Sequence, residues 1–201
     1  MGDNIETEIK LHVPDLQAAE MRLIAAGAAL KAPRVFERNL RYDRADGSLS
    51  ASAVVLRLRQ DTRVRLTYKE DLPETEKTNS GVSSRFEAEV EISDFEAMDT
   101  ILRKLGYTPY MVYEKYRTTY TLYGAEVTLD ELPVGRFVEV EGDESAIEQV
   151  IVAAGLGDAL RMPSSYTTIF KRVQQRLGLR FTNITFANFE GVPVPESALF
   201  E

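Results

Sequence analysis

The chain has 201 residues, no cysteine, a single histidine and a formal net charge of −8 at pH 7. The absence of cysteine excludes disulfides, thiolate zinc sites and a cysteine nucleophile, and one histidine excludes a centre built from several histidines. The acidic balance argues against general nucleic-acid binding, which needs a net basic surface. No apolar run is long enough to span a bilayer and no secretory signal is evident, so we expect a cytoplasmic protein without membrane contact.

Eight stretches alternate apolar and polar residues in the way that half-buried strands do. They lie at residues 4–13, 35–44, 53–60, 63–70, 84–92, 113–122, 125–131 and 136–142. Four amphipathic stretches predict helices, each ending at a glycine: PDLQAAEMRLIAAG, SDFEAMDTILRKLG, DESAIEQVIVAAG and SSYTTIFKRVQQRLG. We expect the N-caps of these helices at Asp15, Ser93, Asp143 and Ser164.

The domain organisation predicted from length is simple. Residues 1–177 are expected to form one domain, because single cores commonly reach this size, and residues 178–201 form a tail whose structure is left open. Between the fourth and fifth strands, the polar segment DLPETEKTNSGVSS predicts a long loop, either at the entrance to a site or disordered.

The charged residues of each strand share one face, and apolar residues occupy the other. The charged faces hold Glu6, Glu8 and Lys10; Arg57 and Arg59; Arg65 and Lys69; Arg85, Glu87, Glu89 and Glu91; Lys115 and Arg117; Asp130; and Glu139 and Glu141. For the first strand alone, a solvated face is the simpler explanation. Arginine dominates the basic positions, however, and its planar fork suits phosphate oxygens better than mere solvation.

These faces predict an α+β fold in which a closed eight-stranded antiparallel β-barrel has a charged interior and flanking helices. Carboxylates on one wall could hold Mg²⁺ or Mn²⁺, which prefer oxygen ligands, and basic residues on another could hold phosphates. With these two walls, a protein whose net charge is negative could still bind a polyanionic ligand together with a cation. Without a ligand, we expect Arg57 and Arg59 to pair with Glu87 and Glu89, because unpaired buried charge is costly.

The segment ETEIK resembles the ExExK signature of the CYTH superfamily, the triphosphate tunnel metalloenzymes. VLRLR, LTYK, FEAEVE, KYRTTY, TLDEL and GRFVEVEG resemble its later motifs in the same order, from about Asn4 to Lys171. The resemblance implies a tunnel that acts on triphosphates with a divalent metal, as in class IV adenylyl cyclases, thiamine triphosphatases and inorganic triphosphatases. The chain departs from the family at RYDR, where YFDT is frequent: Asp43 matches, but Arg44 replaces the threonine.

The resemblance also implies roles for individual residues. The metal-binding carboxylates would be Glu6, Glu8, Glu139 and Glu141, with Asp130 as a further ligand or as an organiser of the bound water. The phosphate-binding residues would be Lys10, Arg57, Arg59, Lys69, Arg85, Lys115, Arg117 and Lys171. Glu87 and Glu89 would be catalytic, orienting a water or holding a second metal. Lys171 also fits the solvated face of the last helix, and His12 is expected at a rim or on the surface without a catalytic role.

Three functions fit these features. Metal-dependent hydrolysis of a triphosphate, either tripolyphosphate, thiamine triphosphate or ATP, ranks first, and cyclisation of ATP to cyclic AMP and pyrophosphate ranks second. A non-catalytic module that binds a nucleotide or polyphosphate ranks third. A cyclase needs a pocket for adenine and ribose, and no residue cluster in the sequence identifies one. A homodimer is left open.

Overall fold

A computed structural model of the protein describes residues 5–72 and 82–200. The strands are β1 (Ile5–His12), β2 (Ala29–Arg44), β3 (Val55–Gln60), β4 (Val64–Asp71), β5 (Ser83–Ile92), β6 (Tyr107–Leu122), β7 (Ala125–Leu132), β8 (Gly135–Glu141) and β9 (Leu160–Arg161). The helices are α1 (Leu16–Ala25), α2 (Ser48–Ala51), α3 (Phe95–Lys104), α4 (Glu144–Ala153) and α5 (Tyr166–Leu177), and a 3₁₀ turn spans Glu196–Ala198. Most of the predicted long loop lies in residues 73–81, outside the described residues.

Strands β1 to β8 close into an antiparallel barrel. Their order around the ring is β5-β4-β3-β2-β6-β7-β8-β1, and β1 closes the ring by pairing with β5, where Ile5 lies opposite Phe86. The short strand β9 pairs with the end of β1. The predicted α+β fold, a closed eight-stranded antiparallel β-barrel with flanking helices, is confirmed.

The outer face of the barrel carries the apolar residues and packs against the helices. Leu23 of α1 and Val150 of α4 are fully buried against the outward Val127 and Val140 of β7 and β8. On another side, Leu102 of α3 packs with apolar residues of β2 and β3. A slip of one residue would turn every outward apolar side chain inward, so this burial also fixes which residues face the interior.

The tail left open by the sequence packs into the core. Ile184 donates its backbone N–H to the carbonyl of Val112 in β6 at 2.8 Å, and its own carbonyl accepts from Glu114 N at 2.9 Å. Ile184 and Leu199 are buried together with Phe170 of α5. The segment after Gly178 therefore covers β6 and α5 with apolar side chains. None of the helices in the described ranges is long and apolar enough to cross a membrane.

The observed elements differ from the predicted ones at a few places. Strand β2 begins at Ala29 rather than 35, and β6 begins at Tyr107 rather than 113. Each early segment contains a proline, Pro33 or Pro109, which argues against a strand, but register shifts along the β2–β6 ladder accommodate both. The short α2 and β9 were not predicted.

Two of the four predicted N-caps are correct, at Asp15 and Asp143. The other two lie one residue later than predicted. Asp94 rather than Ser93 accepts from Ala97 N at 2.9 Å, and Ser165 rather than Ser164 accepts from Thr168 N at 3.2 Å. In each case the capping side chain accepts from the N–H of the third residue of the helix, one of the N–H groups that have no partner within the helix.

Candidate active site

The interior of the barrel is a cavity of about 650 Å³ with a mainly charged wall. All but two of the predicted site residues line it: Glu6, Glu8, Lys10, Arg57, Arg59, Lys69, Arg85, Glu87, Glu89, Lys115, Arg117, Glu139 and Glu141. The two exceptions are Asp130, buried just behind the wall, and Lys171. Period-two alternation therefore brings together residues that lie up to 135 positions apart in the chain, from Glu6 to Glu141.

Carboxylates of β1 and β8 form one wall of the cavity. Glu8 lies opposite Glu141, and Lys10 lies opposite Glu139, in the pairing of these strands. Glu139 is contacted by Lys10 Nζ at 3.3 Å and by Arg117. Burial alone would raise the pKa of Glu139, but the charges of Lys10 and Arg117 outweigh it and hold the pKa well below its usual value.

Two carboxylates on this wall have no cationic partner in the described part of the chain: Glu8 and Glu141. Burial, followed by the charge of Glu139, raises the pKa of Glu8. Glu141 lies at the exposed end of β8, where burial and the charges of Glu6 and Glu126 raise its pKa to about 7. A cation bound beside these two carboxylates would offset the burial and the like charges that raise their pKa values.

Lys69 of β4 connects the first wall to β5. Its Nζ pairs with Glu6 and, at 2.9 Å, with Glu87 Oε2. Burial raises the pKa of Glu6 more strongly than Lys69 lowers it. Glu87, one of the two predicted catalytic residues, therefore has an ammonium ion as its neighbour.

Glu89, the other predicted catalytic residue, is surrounded by donors. It accepts from Arg59 Nη2 and from Thr67 Oγ1, each at 2.8 Å, and Arg57 lies 3.8 Å away. Burial opposes ionisation, but these arginines and Thr67 lower the pKa of Glu89 below its usual value. A carboxylate with a depressed pKa is a weak base, so Glu89 is better suited to hold the arginines than to accept a proton from water. The expected pairing of Arg57 and Arg59 thus involves Glu89, whereas Glu87 pairs with Lys69.

Strand β2 contributes a buried acid that the sequence prediction missed. Glu37 is 1% exposed, and it lies 3.4 Å from Arg59 Nη1 and 3.5 Å from Lys115 Nζ. Asn39 Nδ2 donates to it at 2.9 Å. Burial is the largest influence and raises its pKa, but Lys115 and the neighbouring arginines together lower the pKa strongly. The alternation in FERNLRYD, which places Glu37, Asn39 and Arg41 on one face, could have revealed these residues.

Asp130 organises two of the predicted phosphate-binding residues. It is fully buried and accepts from Lys115 Nζ at 2.8 Å, from Arg117 Nε at 2.6 Å and from Tyr166 Oη at 2.9 Å. Burial, with the charge of Asp130, raises the pKa of Tyr166, which therefore stays a hydrogen-bond donor. With its oxygens occupied in this way, Asp130 is placed to orient Lys115 and Arg117.

Two residues lie elsewhere than expected. Lys171 is exposed on α5 and does not line the cavity, as the solvated-face alternative predicts. His12 was predicted at a rim or on the surface, and this is wrong: it is 7% exposed between the rings of Phe137 and Phe200. Burial lowers the pKa of His12. The apolar end of the tail covers this part of β1, which the sequence pattern did not indicate.

The carboxylates can be compared with the needs of a divalent cation. Within residues 5–72 and 82–200, no three His, Cys, Asp or Glu side chains are already arranged as a metal site. The donor chemistry nevertheless fits Mg²⁺ or Mn²⁺, because Glu8 and Glu141 offer oxygen ligands on adjacent strands, and no lysine or arginine of the described residues pairs with them. Glu6 and Glu139 would have to exchange an ammonium or guanidinium partner for the metal.

Comparisons with known proteins agree with this architecture. A "Putative adenylate cyclase MJ0240" from Methanocaldococcus jannaschii is 29% identical over 147 residues, covering 72% of this chain and 81% of that protein. A solved structure from Vibrio parahaemolyticus, also described as a putative adenylate cyclase, superposes with a TM-score of 0.67 at 20% identity, covering 83% of this chain and 98% of that chain.

A second solved structure is a Hippeastrum protein described as a putative adenylyl cyclase with a dominant triphosphatase activity. It superposes with a TM-score of 0.62 at 22% identity, covering 83% of this chain and 95% of that chain. The family model of the CYTH domain matches residues 4–156. Because the match spans most of the chain and includes all eight strands of the barrel, the chain belongs to the CYTH domain family.

Proposed function

We propose that this protein is a divalent-metal-dependent triphosphatase that holds its substrate inside the barrel. The observation that carries the proposal is that two chemically different walls face one cavity. Carboxylates of β1 and β8 occupy one wall, while Arg57 and Arg59 of β3 and Lys115 of β6 flank the wall formed by β2. In the closed ring, β2 is four strands from β1 in either direction, so these walls lie opposite each other.

The basic side chains would bind the phosphate oxygens. Arg57, Arg59 and Lys115 now contact Glu37 and Glu89, and phosphate oxygens would take over some of these contacts. A guanidinium can donate two parallel hydrogen bonds to one phosphate, which fixes its orientation as well as its charge. Phosphoryl transfer depends mainly on such positioning and on neutralising charge as it develops.

The carboxylate wall would hold the cation, with Glu8 and Glu141 as the ligands that have no competing cation among the described residues and with Glu6 and Glu139 beside them. When bound, Mg²⁺ or Mn²⁺ supplies Lewis-acid polarisation of the phosphoryl oxygens. Glu87, whose partner is Lys69, would orient the attacking water. The water oxygen would form a bond to the terminal phosphorus as the bridging P–O bond breaks. The bridging oxygen would leave on the remaining phosphate chain, one proton of the water would pass to that oxygen or to solvent, and the released orthophosphate would carry the water's oxygen.

The cavity lining favours hydrolysis over cyclisation. A cyclase must hold adenine and ribose, and the described aromatic residues of the lining are Tyr113 and Tyr166. Tyr113 is 5% exposed, and its hydroxyl accepts from Arg57 at 3.1 Å. The ring of Tyr166 is covered by Lys10 Nζ, 4.3 Å from its centroid. Neither ring presents an open face on which an adenine could stack.

Cyclisation of ATP is the second candidate, in which the ribose 3′ oxygen attacks the α-phosphorus and pyrophosphate leaves. The names of the Methanocaldococcus and Vibrio proteins favour it. The Hippeastrum protein illustrates that a barrel of this fold can be described as a cyclase and act mainly as a triphosphatase. At 20–29% identity, the names of these proteins do not decide which of the two reactions this protein catalyses.

Product analysis distinguishes the candidates. Purified protein is given tripolyphosphate, thiamine triphosphate and ATP separately with Mg²⁺ or Mn²⁺, and with EDTA as the metal-free control. We expect orthophosphate, no product in EDTA, and a loss of at least 100-fold in Glu139→Gln. Glu148→Gln removes the same charge from the exposed face of α4 and should leave the rate unchanged. Cyclic AMP with equimolar pyrophosphate would establish the cyclase instead, and tight binding without any product would establish a binding module.

A further inference from the structure

One cation in the cavity has no partner within the described residues. Arg41 of β2 lines the cavity, but its side chain forms neither an ion pair nor a hydrogen bond with any residue of ranges 5–72 and 82–200. Its Nε is buried and unsatisfied. Every other lysine and arginine of the described lining has a carboxylate oxygen within 3.8 Å. Among the described residues of the lining, Arg41 is therefore the cation that no carboxylate neutralises.

The surroundings of Arg41 are positively charged. Arg57 lies directly opposite it on β3. Burial is the main cause that lowers the pKa of Arg41; Tyr110 and Tyr113 oppose it, and the charges of Arg57 and Arg85 add smaller lowering effects. The ring centroid of Tyr110 is 5.9 Å away, at the outer limit of a cation–π contact. Leaving a half-buried guanidinium beside two others costs folding energy, and an anion bound among them would remove that cost.

The position of Arg41 along the barrel is also defined. It lies four residues beyond Glu37 on β2, or about 13 Å along the strand at roughly 3.3 Å per residue. This direction leads to the β2–β3 connection, whereas the β3–β4 turn, with Asp61 and Arg63, lines the opposite end of the cavity. Arg41 therefore stands beyond the central cations Arg59 and Lys115, where one end of a bound phosphate chain would emerge.

We propose that Arg41, together with Arg57 and Arg85, forms an anion subsite that selects a linear inorganic polyphosphate, tripolyphosphate or longer, over triphosphates that carry an organic group at this end. The inference rests on the proposed triphosphatase function and names its substrate class. A terminal phosphate satisfies the guanidinium with charge-assisted hydrogen bonds. A neutral nucleoside would leave the guanidinium desolvated and unpaired, and the cationic thiazolium of thiamine triphosphate would be repelled.

The test compares Arg41→Gln with wild type on tripolyphosphate and on ATP. We expect the kcat/KM ratio of tripolyphosphate to ATP to fall about tenfold, mostly through KM for tripolyphosphate, because a hydrogen bond to a charged group contributes about that factor. Arg38→Gln is the matched control, since Arg38 is exposed on the opposite face of the same strand. Arg41→Lys keeps the charge but loses the fork, and should show an intermediate ratio.

A binding measurement separates this inference from the proposed function. Calorimetric titration with tripolyphosphate in EDTA measures the affinity of the anion subsite whether or not the protein hydrolyses the ligand. If the wild type binds tripolyphosphate but releases no orthophosphate, the proposed hydrolysis fails and the subsite stands. An equal loss for ATP and tripolyphosphate would mean that Arg41 contacts a phosphate shared by both, and an unchanged affinity would mean that no subsite exists. Either result overturns the inference. Arg41→Gln should melt at or above the wild-type temperature, because it relieves repulsion; a clear decrease would show that Arg41 stabilises the fold and would also overturn it.

Discussion

Substitution of Asp130 by asparagine tests the buried network behind the basic wall most directly. Asp130 accepts from Lys115 at 2.8 Å, from Arg117 at 2.6 Å and from Tyr166 at 2.9 Å, with no exposure to solvent. Removing one partner of a buried ion pair costs about 3–5 kcal/mol. Lys115 retains Glu37 and Arg117 retains Glu139, so the lower end of that range applies, about 3 kcal/mol. In either orientation of the new amide, its NH₂ group faces at least one donor, because both carboxylate oxygens of Asp130 accept hydrogen bonds.

Equilibrium unfolding in urea measures this loss. The chain contains no tryptophan, so far-UV circular dichroism and tyrosine fluorescence would be the two probes, and their coincidence would establish two-state behaviour. A loss of about 3 kcal/mol lowers the melting temperature by roughly 6–12 °C for a domain of this size. Asp158→Asn, which removes the same charge from an exposed position, should change stability by less than about 0.5 kcal/mol. A loss below about 1 kcal/mol in Asp130→Asn would refute the view that Asp130 holds these cations in place.

Three more perturbations test other parts of the structure. Glu37→Gln removes the counterion of Arg59 and Lys115 and should lower the unfolding free energy by about 3 kcal/mol. In a calorimetric titration, this variant should bind tripolyphosphate more tightly than the wild type, because the phosphate no longer competes with a carboxylate for these cations. The pKa of Glu141 is raised to about 7, so below that pH a proton competes with a cation for this carboxylate; the affinity for Mn²⁺ should rise as pH increases through 7, and Glu141→Gln should flatten the profile. A pH-independent wild-type affinity would show that Glu141 does not contribute. Ile184→Ala should destabilise the protein by about 2–5 kcal/mol in urea unfolding, because Ile184 is fully buried, whereas the exposed Leu160→Ala should have little effect.

The interior could be predicted from the sequence where the alternation is undisturbed. Strands β1, β3, β4, β5, β7 and β8 were placed within about two residues, and most of their inward residues line the cavity. The side-chain period of a strand is two, so each correctly placed strand fixes which of its residues face the interior. The first halves of β2 and β6 were missed because Pro33 and Pro109 interrupt the pattern and bulges absorb them only in the folded ladder.

The partners of the charged residues could not be predicted in the same way. Glu37 and Arg41 share the inward face of FERNLRYD, but the alternation does not show that Glu37 pairs with Arg59 and Lys115. Pairing also depends on how far adjacent strands are offset around the ring. That offset brings Glu89 to Arg59 and leaves Glu87 to Lys69, although Glu87 and Glu89 are equivalent by sequence. The tail was unpredictable for a similar reason, since Ile184 packs in a groove that exists only after β6 and α5 have come together.

The unpaired charges have a common interpretation. Most acids and bases in the barrel neutralise one another, which allows this interior to fold without a ligand. Within the described residues, the groups left over are the carboxylates of Glu8 and Glu141 on one side and the guanidinium of Arg41 on the strand opposite β1. A cation would meet the former and an anion the latter. A metal-bound polyphosphate carries both charges in one ligand, and it would restore the pairing that the folded chain leaves incomplete.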